Sequence, residues 1–161
     1  MTAPAIEPVL RVGQLIPPLA ARAPDGTPVQ AWDFRQKRNL AIVFLHSECV
    51  TCAGFLERLA RRAADFPERD AAVLVVLSHL PLPGSSLPAP LVLTADPTGN
   101  SSVHYFGKKA ANAGGPGPVG VFLADRYGQL SMQWVGGEAS QLPSAEEILG
   151  GLLETQHAGE G

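Results

Sequence analysis

The chain has 161 residues and a formal net charge of -3 at pH 7, with 45% of its residues hydrophobic and 17% charged. That balance excludes a disordered, charge-rich chain and gives no electrostatic reason to expect nucleic acid or an anionic membrane as partner. Residues 1–161 suit one domain around one core, with flexible ends expected at 1–12 and 157–161.

In chain order, MTAPAIEPVLRVG has neither a basic leader nor a continuous apolar stretch, and no later run approaches the roughly 20 apolar residues that span a bilayer. The chain therefore reads as cytoplasmic. Glycine and proline gather in IPPLAARAPDGTP, HLPLPGSSLPAP, ADPTG and NAGGPGPVG, which read as loops. Between them lie β-type runs at Val29–Trp32, Asn39–His46, Ala71–Ser78, Pro90–Ala95, Val119–Asp125 and Gln129–Val135. Leu40–Leu45 and Val73–Leu77 are apolar at consecutive positions, as strands covered on both faces require. Gln129–Val135 alternates and follows the turn DRYG, so it reads as the second arm of an edge hairpin. Helical spacing over Cys52–Phe66 sets Phe55, Leu56, Leu59 and Ala63 against Glu57, Arg58, Arg61 and Arg62; that basic face is expected to be solvated. A short helix is predicted at Ser101–Phe106 and another over Ser144–Gln156, where Ser144 can cap and Glu146 and Glu147 suit the positive helix end. Parallel strands joined through helices, with an antiparallel hairpin at the edge, make a three-layer α/β domain.

The only two cysteines are Cys49 and Cys52, in FLHSECVTC. On this map Cys49 follows the end of a central strand and Cys52 lies one helical turn further on. Unpaired N–H groups at a helix start favour a thiolate, which can open a disulfide that a neighbouring thiol then resolves. In a reducing cytosol, such a pair more often does chemistry or binds metal than staples a fold. A zinc site would need His46 and His79 to complete it, without any partner motif. Two inert buried thiols are the other alternative. His46 at the strand end can stabilise a thiolate or shuttle a proton, or can be no more than a polar terminus. Glu48, beside Cys49, opposes thiolate formation. Tyr127 and Trp134 are expected to contribute burial, and His79 with the loop after it can border a substrate groove.

VGQLIPPLAARAPDGTPVQAWDFRQKRNLAIVFLHSECVTC, with ADPTGNSSVHYFG, VFLADRYGQLSMQWVG and LPSAEEILGGL in that order, resembles the thioredoxin-like superfamily over nearly the whole chain. Within it the match is to the redoxin branch, which includes alkyl hydroperoxide reductase and thiol-specific antioxidant proteins. The resemblance implies a three-layer α/β/α fold with a mixed central sheet and an added N-terminal hairpin. It assigns Cys49 as exposed nucleophile and Cys52 as resolving thiol, with His46, Glu48, Pro118 and Val119 beside the substrate and Pro118 in the place of the family's cis-proline. Peroxiredoxins place their reactive cysteine in P-x-x-x-T-x-x-C; matched on Cys52, this puts Leu45 at the proline and Cys49 at the threonine. No arginine precedes VFLAD, where many of them hold the peroxide. The expected activity is therefore thiol–disulfide exchange with a disulfide-bearing protein or a small thiol, using no cofactor and no metal. A hydroperoxide-reducing peroxidase is the first alternative and a redox-inert interaction module the second. The edge hairpin could pair two copies into a homodimer.

Overall fold

The computed structural model describes residues 6–34, 38–46, 50–79, 86–113 and 117–160, with side chains up to 156. Among these residues seven strands form one sheet: β1 (Ala21–Arg22), β2 (Pro28–Val29), β3 (Asn39–Leu45), β4 (Ala71–Leu77), β5 (Leu91–Ala95), β6 (Val119–Ala124) and β7 (Leu130–Gly136), in the order β2-β1-β5-β4-β3-β6-β7. β3, β4 and β5 run parallel, β6 returns antiparallel to β3, and the β1–β2 hairpin is attached antiparallel to β5. Among the described residues the α-helices are α1 (Val50–Arg61), α2 (Asn100–Phe106), α3 (Lys108–Ala111) and α4 (Ala145–Glu160).

The consecutive apolar run of β3 is explained by two cores, one on each face of the sheet. Ala41, Val43 and Leu45 pack with Cys52, Phe55 and Leu59 of α1 and with Ile148 and Leu152 of α4. Leu40, Ile42 and Phe44 pack with Tyr105 and Phe106 of α2, Phe122 of β6 and Leu10 and Leu19 from the N-terminal segment. All seven β3 residues are buried, as a central strand without a solvent face demands. This is the expected three-layer α/β/α arrangement with a mixed sheet and an N-terminal hairpin. Among the described residues no helix is long and apolar enough to cross a membrane.

Local differences have local causes. The strand expected over Val29–Trp32 stops at Val29 and a 3-10 turn occupies Ala31–Phe34, where the Asp33 carboxylate accepts the Gln30 N–H at 2.9 Å. The helix expected to reach Phe66 ends at Arg61; Arg62 adopts φ -102°, ψ 12°, and two 3-10 turns follow, leaving Phe66 fully buried. α3 was not expected and is set off from α2 by Gly107 at φ 88°. α4 starts as the sequence predicts, with Ser144 Oγ accepting the Glu147 N–H at 3.1 Å and the Glu147 carboxylate accepting the Ser144 N–H at 3.2 Å. β7 is the sheet's edge strand as expected, but the N-terminal segment docks along its first part: Gly13 donates to Leu130 at 2.7 Å and Leu130 donates to Gln14 at 2.8 Å.

Packing between β6 and α2 leaves no room for an extra methyl at Gly120. A Cβ there would lie 2.7 and 2.9 Å from carbons of the buried Phe106 ring. Gly120→Ala is expected to cost about 1–3 kcal/mol through overpacking, read from the denaturant midpoint at unchanged slope.

Candidate functional site

Because β3, β4 and β5 are parallel, their carboxyl ends lie on one edge of the sheet, and the chain leaves them as His46, Ser78–His79 and Asp96 respectively. β6 is antiparallel, so its beginning reaches the same edge, with Gly120 opposite Phe44 and Gly117–Pro118 just before it. The first turn of α2 closes the third side. Between these elements lies a cleft of about 470 Å³ lined by His46, His79, Asp96, Asn100, Asn112 and Pro118 among others.

The wall on the β5 side is fixed by Asp96. Its carboxylate accepts the Thr98 N–H at 3.0 Å, the Ser101 N–H at 2.7 Å and the Thr98 hydroxyl, which orients the start of α2. Ser101 Oγ in turn accepts the Ala20 N–H at 2.8 Å and ties α2 to the N-terminal segment. Burial alone would raise the Asp96 pKa, but the hydrogen bonds from Thr98 and Ser101 outweigh it and hold the carboxyl below its usual range. Asp96→Asn replaces one acceptor oxygen with a donor facing backbone N–H groups. It is expected to cost about 1–3 kcal/mol, with the loss relative to wild type shrinking at pH low enough to protonate Asp96; urea titrations at neutral and acid pH would check both.

His46 is partly buried on the opposite wall. Burial pushes its pKa down, and a hydrogen bond with the Gly117 backbone only partly offsets this. Its Nε2 atom is buried and has no hydrogen-bond partner among the described residues. Gly117 sits at φ 91°, in the left-handed region that glycine adopts without penalty, and a Cβ on it would lie 3.7 Å from His46 Cε1. The depressed pKa makes His46 a stability term. Above about pH 6.5 the imidazole is neutral whether folded or not. As pH falls, the unfolded chain takes up a proton that the folded site resists, so stability drops until the folded pKa is passed. Between pH 7 and 5 the denaturant midpoint of wild type is therefore expected to fall further than that of His46→Gln.

The residues picked from sequence separate into two groups. His46 and Pro118 share the cleft. Cys52, 1% exposed in the first turn of α1, and Val119, fully buried at the start of β6, share the core on the other face of the sheet. Cys49 and Glu48 lie outside the described residues. The cis peptide bond among the described residues is Ala89–Pro90, so the bond before Pro118 is trans, contrary to the expectation of a cis-proline there. The role of Asp96 was missed, although Asp-Pro-Thr-Gly ahead of two serines is the pattern of a carboxylate turning a chain into a helix.

No protein-family model and no curated protein matches the sequence. Solved structures do match in fold. The mitochondrial 2-Cys peroxiredoxin of Plasmodium falciparum superimposes with a TM-score of 0.74 at 13% identity, over 94% of this chain and 97% of that one. A peroxiredoxin-like protein from Aquifex aeolicus gives 0.72 at 16% identity over 95% and 92%. A putative thiol:disulfide interchange protein DsbE from Chlorobium tepidum gives 0.65 at 20% identity over 91% and 99%. The fold is thus thioredoxin-like α/β, shared with both peroxiredoxins and disulfide interchange proteins.

Proposed function

We propose that the chain is a thiol–disulfide oxidoreductase whose Cys49 and Cys52 alternate between dithiol and disulfide. The observation that carries this reading is a C-x-x-C whose second cysteine is buried in the first turn of a helix at the carboxyl end of the central strand. That helix begins at Val50, the residue after Cys49 in sequence, and unpaired N–H groups at a helix start favour a thiolate. In the proposed cycle the Cys49 thiolate attacks one sulfur of a substrate disulfide, forming a mixed disulfide and releasing one substrate thiolate. Cys52 gives up its proton, attacks the Cys49 sulfur and releases the second substrate thiolate. Both released sulfurs take up protons, the substrate gains two electrons and the protein ends as the Cys49–Cys52 disulfide. The same steps in reverse oxidise a dithiol.

Peroxide reduction is the second reading, supported by the peroxiredoxin folds above. Against it stands the lack of an arginine in Gly117–Gly120 to polarise the O–O bond as charge develops on the leaving oxygen. Mild oxidation followed by peptide mass mapping tests the main reading. A loss of two hydrogens on the peptide holding Cys49 and Cys52, with reduction of a peptide disulfide by the dithiol form, supports it. Rapid consumption of hydrogen peroxide without disulfide reduction would favour the peroxidase, and neither activity would leave a redox-inert interaction module. A disulfide-bearing protein or a small thiol is the proposed redox partner, and the β6–β7 hairpin at the sheet edge the proposed contact in any homodimer.

A further inference from the structure

We infer that two copies of this chain pair about a two-fold axis at Leu15, each burying Val12, Leu15, Trp32 and Tyr127 against the other. The contact gives the homodimer a surface, the turn end of the β6–β7 hairpin with the N-terminal segment beside it, and is independent of the redox chemistry of Cys49 and Cys52.

Six large apolar side chains stay exposed among the described residues, and four of them, Val12, Leu15, Trp32 and Tyr127, at 46% to 68% exposure, gather in one place. Leu15 and Trp32 line the same depression of about 90 Å³, with Ile16, Ala31 and Gly128. Tyr127 precedes Gly128 in the hairpin turn, and Val12 stands in the Arg11–Gln14 turn that leads into Leu15. The other two lie elsewhere, Val9 beside Gly107 and Val50 at the start of α1. Apolar side chains scattered singly need no explanation, but a cluster of this kind marks a contact surface.

The backbone names the occupant. Leu130 donates to Gln14 and Ile16 donates to Gly128 at 2.9 Å, with Leu15 opposite Gln129 between them. In an antiparallel pair that pattern marks a non-hydrogen-bonded position, so the N–H and C=O of Leu15 point away from β7. The N–H has no partner among the described residues, and the C=O accepts only the Gln14 side chain, at 3.3 Å. Open edge groups of this kind pair with another chain. A second Leu15 turned by a two-fold axis presents its N–H and C=O in reversed order, so the two residues can exchange both bonds.

Charge decides against other occupants. The stretches 11–16, 31–34 and 125–128 carry Arg11, Asp33, Asp125 and Arg126, two charges of each sign. Arg11, Asp33 and Arg126 make no ion pair among the described residues. A strongly acidic segment or an anionic bilayer would meet the two aspartates, and a basic partner the two arginines. A copy of the same surface carries both signs and can set Arg126 of one chain against Asp33 of the other. Half of the surface of two aromatic and two aliphatic side chains is roughly 300–500 Å² per copy, short of the 800 Å² of a standard interface, so the pairing is weak. β6 begins at the cleft edge and runs away from it, which puts this end of the sheet opposite the cleft and leaves both redox sites open in the pair.

The test follows the full chain by sedimentation velocity from about 1 µM to about 1 mM, a span that brackets weak association. Wild type is expected to pass from monomer to dimer as concentration rises, with hydrogen exchange at the Leu15 amide slowing in step. Leu15→Glu and Trp32→Ala are expected to weaken pairing at least about tenfold while leaving the urea midpoint nearly unchanged, since both residues are exposed. Arg126→Glu should weaken it as well, by less at high salt. A chain that stays monomeric throughout, a dimer that Leu15→Glu and Trp32→Ala leave intact, or pairing without protection of the Leu15 amide would overturn the inference. Vesicles of phosphatidylcholine and phosphatidylglycerol are the competing probe: binding by wild type that Trp32→Ala abolishes would assign the cluster to lipid instead. Disulfide exchange is read on the same samples and is expected to be unchanged in all three variants. Pairing without exchange sinks the redox reading but keeps the interface, and exchange without pairing does the reverse.

Discussion

Replacing Cys49 with serine is expected to abolish disulfide exchange, lowering turnover roughly ten-thousandfold or more, the scale on which covalent catalysts fail when their nucleophile is removed. Replacing Cys52 is expected to look different. The first attack still occurs and the protein stalls with substrate attached at Cys49, because no second thiol can displace it. The asymmetry follows from burial: Cys52 is 1% exposed, packed among Phe55, Leu59 and Val119, and an incoming disulfide has no path to its sulfur without disturbing that core. Intact-mass measurement after incubation with a peptide disulfide distinguishes the two outcomes, showing an adduct in Cys52→Ala and none in Cys49→Ser. Alanine is the better replacement at Cys52, since serine would bury a hydroxyl in an apolar cluster. An adduct on Cys52 in the Cys49→Ser protein would reverse the assigned roles.

Much of the fold was legible because its strongest signals are periodic. Leu40–Leu45 and Val73–Leu77 could only be strands covered on both faces, and the two cores flanking β3 show why. The β6–β7 hairpin was marked by Asp-Arg-Tyr-Gly, where the Asp125 carboxylate accepts the Tyr127 and Gln129 N–H groups and Gly128 takes φ 84°. What was not legible depends on tertiary demands. The apolar spacing through Phe66 is as good a helix signal as that before it, yet the chain tightens after Arg61 into 3-10 turns that lead, through the left-handed Asp70, into β4. Nor does periodicity give lateral order; that β5 lies between β4 and β1 comes from pairing across residues far apart in sequence.

The candidate site was half legible for a related reason. Cysteine spacing and a strand end are local, so Cys49, Cys52 and His46 stood out. The cleft is instead assembled from five separate stretches of chain, and the residues that shape it, Asp96 and Gly117, carry ordinary turn chemistry. Pro118 shows the reverse error: a family position transferred by likeness brought with it a cis bond that this chain does not have.

Phe44→Ala is expected to be the most damaging single change in the α2-side core, costing about 3–5 kcal/mol. That is a large share of the roughly 5–15 kcal/mol that holds a domain together. Phe44 is 3% exposed on the central strand, and its ring centroid lies 5.1 Å from Tyr105, 5.2 Å from Phe106 and 5.7 Å from Phe122. Two of these contacts are edge-to-face, with interplanar angles of 80° and 85°. Such pairs add about 0.5–1.5 kcal/mol each beyond burial. The hole left by alanine cannot close easily, because Phe106 and Phe122 are also packed against Gly120 and Tyr105 is tethered by its hydroxyl to the Pro17 carbonyl at 2.6 Å. Phe44→Leu keeps most of the volume and should lose substantially less, so the difference between the two variants in urea reads the cavity rather than the ring. Phe44 also lines the cleft two residues before His46, which couples this core to the site. A cost below about 1 kcal/mol would mean the rings are not packed as described.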